Sequence, residues 1–204
     1  MNIAEERLRR SAKATLDQIS RDAIAVGGTP FYAGVGAPAN RVAIAATDLL
    51  RAADLRKLKS KMQAANIPTF SDNSYVIFIH PYVQYDLKSD DDAGGWIDVN
   101  KYSRPETLIN GEIGKLEGFR VVVVNNAPTV TSTVTVYESI AIGGIKGWGA
   151  GDLQTLTAKH VPNEPSAYDP LALNEYMGWK CMYGVGVLDS DYFVRVETAA
   201  TSLA

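Results

Sequence analysis

Ser74-Tyr75-Val76-Ile77-Phe78-Ile79-His80-Pro81-Tyr82-Val83-Gln84-Tyr85-Asp86-Leu87 is the stretch around which the chain can be read. Tyr75 to Ile79 is an unbroken run of β-branched and aromatic residues, which predicts a strand buried on both faces. Pro81 stops it, because proline cannot donate to a sheet ladder. Tyr82, Tyr85 and Asp86-Leu87 then predict a short helix with Pro81 in its first turn. No enzyme motif sits on this strand-to-helix joint.

Upstream, Asp54 to Ala65 places Leu55, Leu58, Met62 and Ala65 on one helical face, with Arg56, Lys57, Lys59 and Lys61 elsewhere. Thr47-Asp48 is a candidate N-cap, and Asn66 and Pro68 end the pattern. Together with Tyr75 to Ile79 this makes an α-then-β unit. Thr29 to Asn40, rich in Gly, Pro and small residues, predicts a loop. Ala4 to Val26 repeats Leu8, Ala12, Leu16, Ile19 and Ala23 as one amphipathic stripe and stops at Gly27-Gly28. A helix of that length is about 35 Å long at 1.5 Å per residue, a strut rather than a core helix.

Downstream, Lys88 to Gly95 is polar, and Trp96 to Tyr102 predicts a short helix. Gly111 to Gly118 reads as turns placing a strand at Phe119 to Val124, which Asn125 to Pro128 ends. Thr129 to Thr135 fits a loop or an edge strand, and Val136 to Ile142 a strand. Gly143, Gly144, Gly147, Gly149 and Gly151 interrupt the chain, leaving Leu153 to Lys159 as a weak strand candidate and Val161 to Asp169 as a proline-rich loop. Tyr176 to Leu188 and Tyr192 to Thr198 predict an antiparallel pair joined by Asp189-Ser190-Asp191. Val194 and Val196 share one face of the last strand; Phe193, Arg195 and Glu197 share the other. Ala199 to Ala204 is expected to fray.

Length and composition fit a globular chain of one domain or two small lobes: 204 residues, 46% hydrophobic and 21% charged. A net charge of −3 gives no electrostatic reason to expect strong nucleic-acid binding. The single cysteine, Cys181, precludes an intrachain disulfide and fits a reducing compartment. No apolar run is long enough to span a bilayer as a helix, and Met1 to Arg10 reads as charged helix rather than signal peptide.

The chemistry-bearing residues do not converge. His80 and His160 lack named partners for metal binding or base catalysis. His80 could meet Asp86 only if the turn folds back, and no nucleophile motif accompanies them. Cys181, beside Lys180, sits in an apolar strand pattern and reads as a buried, inert thiol. Gly143 to Gly151 lacks the Gly-Lys-Ser/Thr ending of a phosphate loop, and Gly111 to Gly118 carries two glutamates where bare N–H groups would be needed. Asp90, Asp91 and Asp92 lack the spacing of a calcium loop. No catalytic, cofactor-binding or metal residue is therefore assigned, and no cofactor is expected. A strut-like helix, apolar strands and long Gly/Pro loops instead suggest a part that meets neighbours.

Tyr75-Val-Ile-Phe-Ile-His80-Pro81 with Tyr85-Asp86-Leu87 resembles a signature of the tailed-bacteriophage major capsid protein family, in the branch of N4-like phages and prophages. Gly111 to Arg120, Val136-Tyr137-Glu138 through Gly143 to Gly147, Asp169-Pro170-Leu171 with Gly178-Trp179-Lys180, and Tyr192 to Thr198 resemble the family's later segments, in order. The resemblance implies an α+β tailed-phage/encapsulin capsid fold. A P domain would hold a long spine helix and a β-hairpin; an A domain would hold a central mixed sheet flanked by helices. On this mapping 1–45 is the spine helix and loop of the P domain, 46–160 is mainly the A domain, and 161–204 returns to the P domain.

The implied role is a major capsid protein or its core fragment, not an enzyme. It would assemble with copies of itself, as pentamers and hexamers, into an icosahedral shell. That shell would enclose double-stranded DNA without sequence-specific binding and without a membrane. Scaffolding, portal or decoration proteins are further implied partners. The implied location is the virion capsid, made in the bacterial host cytoplasm. Two other uses stay open: a capsid-like container or adaptor, and an enzyme of unknown class using His80, Asp86 or Cys181. The family's N-terminal arm and extended hairpin loop have no counterpart before the helix at Ala4. The expectation is therefore a chain that folds but assembles poorly.

Overall fold

The structure, a computed structural model, describes residues 3–90, 112–144, 146–162, 165, 170, 171, 173 and 175–202. In chain order its elements are α1 (Ile3–Gly27), β1 (Thr29–Tyr32), α2 (Ala52–Ala64), β2 (Tyr75–Ile79), α3 (Pro81–Lys88), β3 (Glu112–Leu116), β4 (Phe119–Val123), β5 (Thr129–Thr131), β6 (Thr135–Ile142), β7 (Trp148–Val161), β8 (Tyr176–Val187) and β9 (Phe193–Thr198). Short 3₁₀ turns lie at Arg41–Ala43 and Ser190–Tyr192. The expected Trp96 to Tyr102 helix, and most of the Val161 to Asp169 loop, lie outside the described residues.

The chain divides into two compact units, Met1–Ala23 with Gly149–Gly186, and Ile24–Trp148 with Val187–Ala204. In the first, β7 and β8 form a two-stranded ribbon. It is antiparallel: the Cβ position of Gly151 meets Gly184 O, while Thr157 Oγ1 donates to Lys180 O at 3.3 Å. On the α1 side Ala12 is buried, and Ser20 Oγ and Tyr183 OH lie 2.9 Å apart. The Leu8 to Ala23 stripe is only partly covered, since Ile19 is exposed.

The second unit is built on a seven-stranded mixed sheet of order β1-β9-β6-β2-β4-β3, with β5 paired to the end of β6 that β2 does not reach. β2 sits inside it, parallel to β4 with Tyr75 opposite Phe119, and antiparallel to β6 with Phe78 opposite Ile140. Tyr75, Ile77 and Ile79 are fully buried against Leu55, Leu58 and Met62 of α2 and Val83 and Leu87 of α3. Val76 and Phe78 are only half-buried, so the strand is not sealed on both faces as expected. Phe78 joins Ile140, Ile142 and Phe193 on the opposite face, beneath Ile24 and Ala25 of the last turn of α1. Two apolar clusters thus clamp one sheet, the arrangement a mixed sheet with helices on both faces requires.

Several expectations are corrected. Thr29 to Tyr32 is a strand, parallel to β9; Pro30 is tolerated because β1 is an edge. Helix α2 starts at Ala52, and Thr47-Asp48 does not cap it; Arg51 precedes it without a side-chain cap. Glu112 to Leu116 is a strand, and Glu117 (φ 51°) and Gly118 (φ 87°) make the turn. Two successive positive φ values make a tight turn whose twist suits a hairpin. Gly149 and Gly151 lie inside β7 rather than interrupting the chain. The expected closing hairpin does not form: β8 pairs with β7, whereas β9 lies between β1 and β6. Ala199 does not fray, because its N–H donates to Asp48 O at 3.0 Å and its side chain is buried.

Candidate assembly surface

Three of the residues singled out for chemistry, His80, Asp86 and Asp90, hold backbone. His80 caps α3, its Nδ1 accepting from Tyr82 N–H at 3.1 Å. Its ring lies 4.9 Å from those of both Tyr82 and Tyr137, and burial holds the imidazole below its ordinary pKa. Asp86 faces elsewhere, accepting from Thr201 N–H at 2.9 Å. Asp90 accepts from Ala52 N–H at 2.8 Å, so a carboxylate from beyond α3 satisfies the first turn of α2. Asp91 and Asp92 lie outside the described residues. Exposed His160 meets Glu175 at 3.4 Å, and Cys181 is a half-buried free thiol. Among the described residues no three His, Cys, Asp or Glu side chains gather as a metal site. No described helix is long and apolar enough to cross a membrane.

What the fold does bring together is a group of four charges that spacing alone did not reveal. Glu138 of β6 and Glu197 of β9 stand directly opposite across the ladder. Two carboxylates so placed repel unless neutralised. Arg41 grips Glu197 with both Nε–Oε2 and Nη2–Oε1 at 2.6 Å, and also bonds Glu138. Arg195 donates to Glu197 Oε1 from Nε at 2.8 Å, and from Nη1 to Ala25 O, also at 2.8 Å. Burial pushes the Glu197 carboxyl up, but the hydrogen bonds from Arg41 and Arg195 outweigh it and hold it below the ordinary range. Arg41 is correspondingly raised, first by its bond to Glu197. The group carries no net charge and ties the final turn of α1 to the sheet. Its one sequence signal was the Arg195/Glu197 spacing of two on a strand face shared with Phe193.

The β7–β8 ribbon is different. On β8, Met177, Trp179, Cys181, Tyr183, Val185 and Val187 alternate with a more exposed set. Leu153 on β7 is 89% exposed, and Tyr176 and Met182 on β8 are exposed as well. Two strands alone are marginal in water, and exposed apolar side chains on a ribbon with open edges mark a surface that meets something else.

A family model described as phage capsid protein matches residues 1–196. The chain belongs to the phage capsid protein family. Solved capsids share its fold at low sequence identity. The capsid of Cyanophage P-SCSP1u matches with a TM-score of 0.63 at 19% identity, over 98% of this chain and 67% of that one. The capsid of Ralstonia phage GP4 gives 0.60 at 15%, over 88% and 54%, and that of Cyanophage Pam1 gives 0.61 at 16%, over 87% and 56%. The chain thus spans little more than half the length of the GP4 and Pam1 capsid chains. No curated protein matches. The α+β capsid fold anticipated from Tyr75 to Pro81 is the one observed.

Proposed function

We propose that the protein is a structural coat subunit, not an enzyme. It assembles with copies of itself, as pentamers and hexamers, into an icosahedral shell around double-stranded phage DNA. The family match over residues 1–196 carries this reading. The exposed ribbon supports it, because a shell gains its stability from many modest contacts repeated by symmetry. Scaffolding, portal or decoration proteins are the other partners of such a shell. The subunit is made in the bacterial cytoplasm and resides in the virion. Within the family we place it in the N4-like phage and prophage branch, on the order of its Tyr75 to Pro81 and Gly111 to Arg120 segments.

The domain division we propose follows the two compact units rather than three consecutive blocks. Helix α1 to Ala23 with the β7–β8 ribbon corresponds to the P domain. The seven-stranded sheet with α2 and α3, including β9, corresponds to the A domain. Light scattering over a wide concentration range, with electron microscopy of the same samples, tests the coat reading. Because assembly is expected to be weak, rings of five or six, or shells, are expected only toward the highest concentrations; a strict monomer there overturns the coat reading.

A further inference from the structure

The solvent face of α1 carries a stripe of charge that is complementary to itself when reversed. Glu6, Arg10, Lys13, Asp17 and Arg21 follow at intervals of four, three, four and four, which keeps them on one helical face. Glu6, Arg10, Lys13 and Asp17 are exposed and Arg21 is half-buried. With Arg9 and Ala14, the first four line an open groove. The stripe points away from Leu8 and Ala12 on the covered side of the helix. Within the helix Glu6–Arg10 and Asp17–Arg21 are also pairs four residues apart in the favourable order, so the stripe gives modest support to the helix itself.

We propose that α1 helices of two copies of this chain pack antiparallel through this stripe, about a two-fold axis between Lys13 and Ala14. The pairing follows from arithmetic: a two-fold there sets side by side positions whose numbers sum to 27. Arg10 of one copy faces Asp17 of the other, and Glu6 faces Arg21, each pair occurring twice. Four contacts of opposite sign result, and none of the paired positions matches like with like. At the axis Lys13 lies beside Ala14, whose single methyl leaves room for the lysine stem. The two Lys13 side chains approach there, and each has Asp17 one turn along its own helix to offset its charge. Asp17 and Arg21 also have contacts within their own chain; the pairing needs only the sign of their charge, not vacant partners.

The inference rests on the coat reading, since an icosahedral shell contains two-fold axes and supplies a second copy at high local concentration. Exposed ion pairs are individually weak, so this contact sets register and orientation more than affinity. Contacts of this kind let misplaced subunits leave.

Charge reversal separates it from a merely solvated face. Arg10→Glu sets two glutamates against two aspartates, and Asp17→Arg sets two arginines against two arginines. Each variant alone is expected to need at least about tenfold more protein to associate, given the cost of opposed like charges. An equimolar mixture of the two restores association, because each mixed pair then holds Glu opposite Arg and Asp opposite Arg. The double variant Arg10→Glu/Asp17→Arg associates like the parent. Circular dichroism checks that every variant stays helical, and mass is read by light scattering at low and high salt. Variants that each associate like the parent overturn the helix pairing and leave the coat reading standing. Single variants that weaken but are not rescued by mixing also overturn it. A parent chain that never associates removes the coat reading and the pairing with it.

Discussion

Removing Arg41 should expose how much of the sheet depends on the four-charge group. The Glu197 side chain is 0% exposed and takes three N–H bonds, two from Arg41 and one from Arg195. Arg41→Ala removes two of the three and strips Glu138 of its close partner, since Arg195 Nε is 3.7 Å from Glu138 Oε1. Breaking a fully buried pair costs about 3–5 kcal/mol. Arg41 is 29% exposed, so water enters the gap, and about 2–3 kcal/mol is the expected loss. With a urea slope of about 2 kcal/mol/M, the midpoint falls by about 1–1.5 M.

Glu197→Ala leaves both arginines near Glu138, and the double variant should recover part of the loss, with a coupling energy of at least about 1.5 kcal/mol. The pH response has a definite sign. Glu197 is depressed in the fold, so its contribution is fully present above the unfolded carboxyl value near ~4.3 and disappears as pH falls toward the folded value. Glu197→Gln should flatten that limb of the stability profile. Added salt should barely alter the Arg41 effect, unlike an exposed pair such as Arg56–Glu117. A midpoint shift under about 0.25 M for Arg41→Ala, or a coupling near zero, would refute the account.

Three further outcomes follow from local geometry. His80→Ala removes the cap on Tyr82 N–H and should cost about 1 kcal/mol in denaturant melts. Because the buried imidazole is depressed, the parent should also lose stability as pH falls through ~6.5, where only the unfolded chain protonates, and the variant should not. Gly118→Ala should cost about 1 kcal/mol at φ 87°, while Glu117→Gly, at φ 51°, should leave stability unchanged or raise it slightly; unfolding midpoints of the two compared side by side settle it. Gly143→Ala drives a methyl into Ile67 Cγ2 and to 2.9 Å from Pro68 O, so a loss of about 2–3 kcal/mol and reduced soluble yield are expected.

Local pattern carried the fold where one element decides its own burial. Tyr75 to Ile79, Pro81, Phe119 to Val124 and the long α1 stripe each announce themselves through run length or period. Reading failed where pairing partners decide. Thr29-Pro30-Phe31-Tyr32 is four residues with a proline, and nothing in it says that β9 lies alongside. Glu112 to Leu116 looked like turns because Gly111, Gly114 and Gly118 stand close together along the chain. The ladder overrides that local signal, setting Leu116 opposite Phe119. The closing hairpin was inferred from adjacency, the commonest arrangement. Here the strands on either side of Asp189 to Asp191 belong to different sheets, so that joint turns the chain without pairing its flanks.

The site was harder still, for a physical reason. Catalytic and metal sites gather unlike chemistry at fixed spacing, and such spacing is visible in a chain. Coat surfaces do not require this. Leu153, Tyr176 and Met182 are ordinary strand residues until the fold leaves them exposed. Arg41 and Glu138 are ordinary charges until β6 and β9 set two glutamates opposite each other. The stripe on α1 is visible as helix periodicity, yet its sign order acquires meaning only when a second copy is laid against it. The positions where this chain is proposed to act therefore carry no spacing motif of their own. The same reasoning explains why Tyr75 to Pro81 resembles the family without marking a site: it is a core joint capped by His80, with Tyr75, Ile77 and Ile79 fully buried.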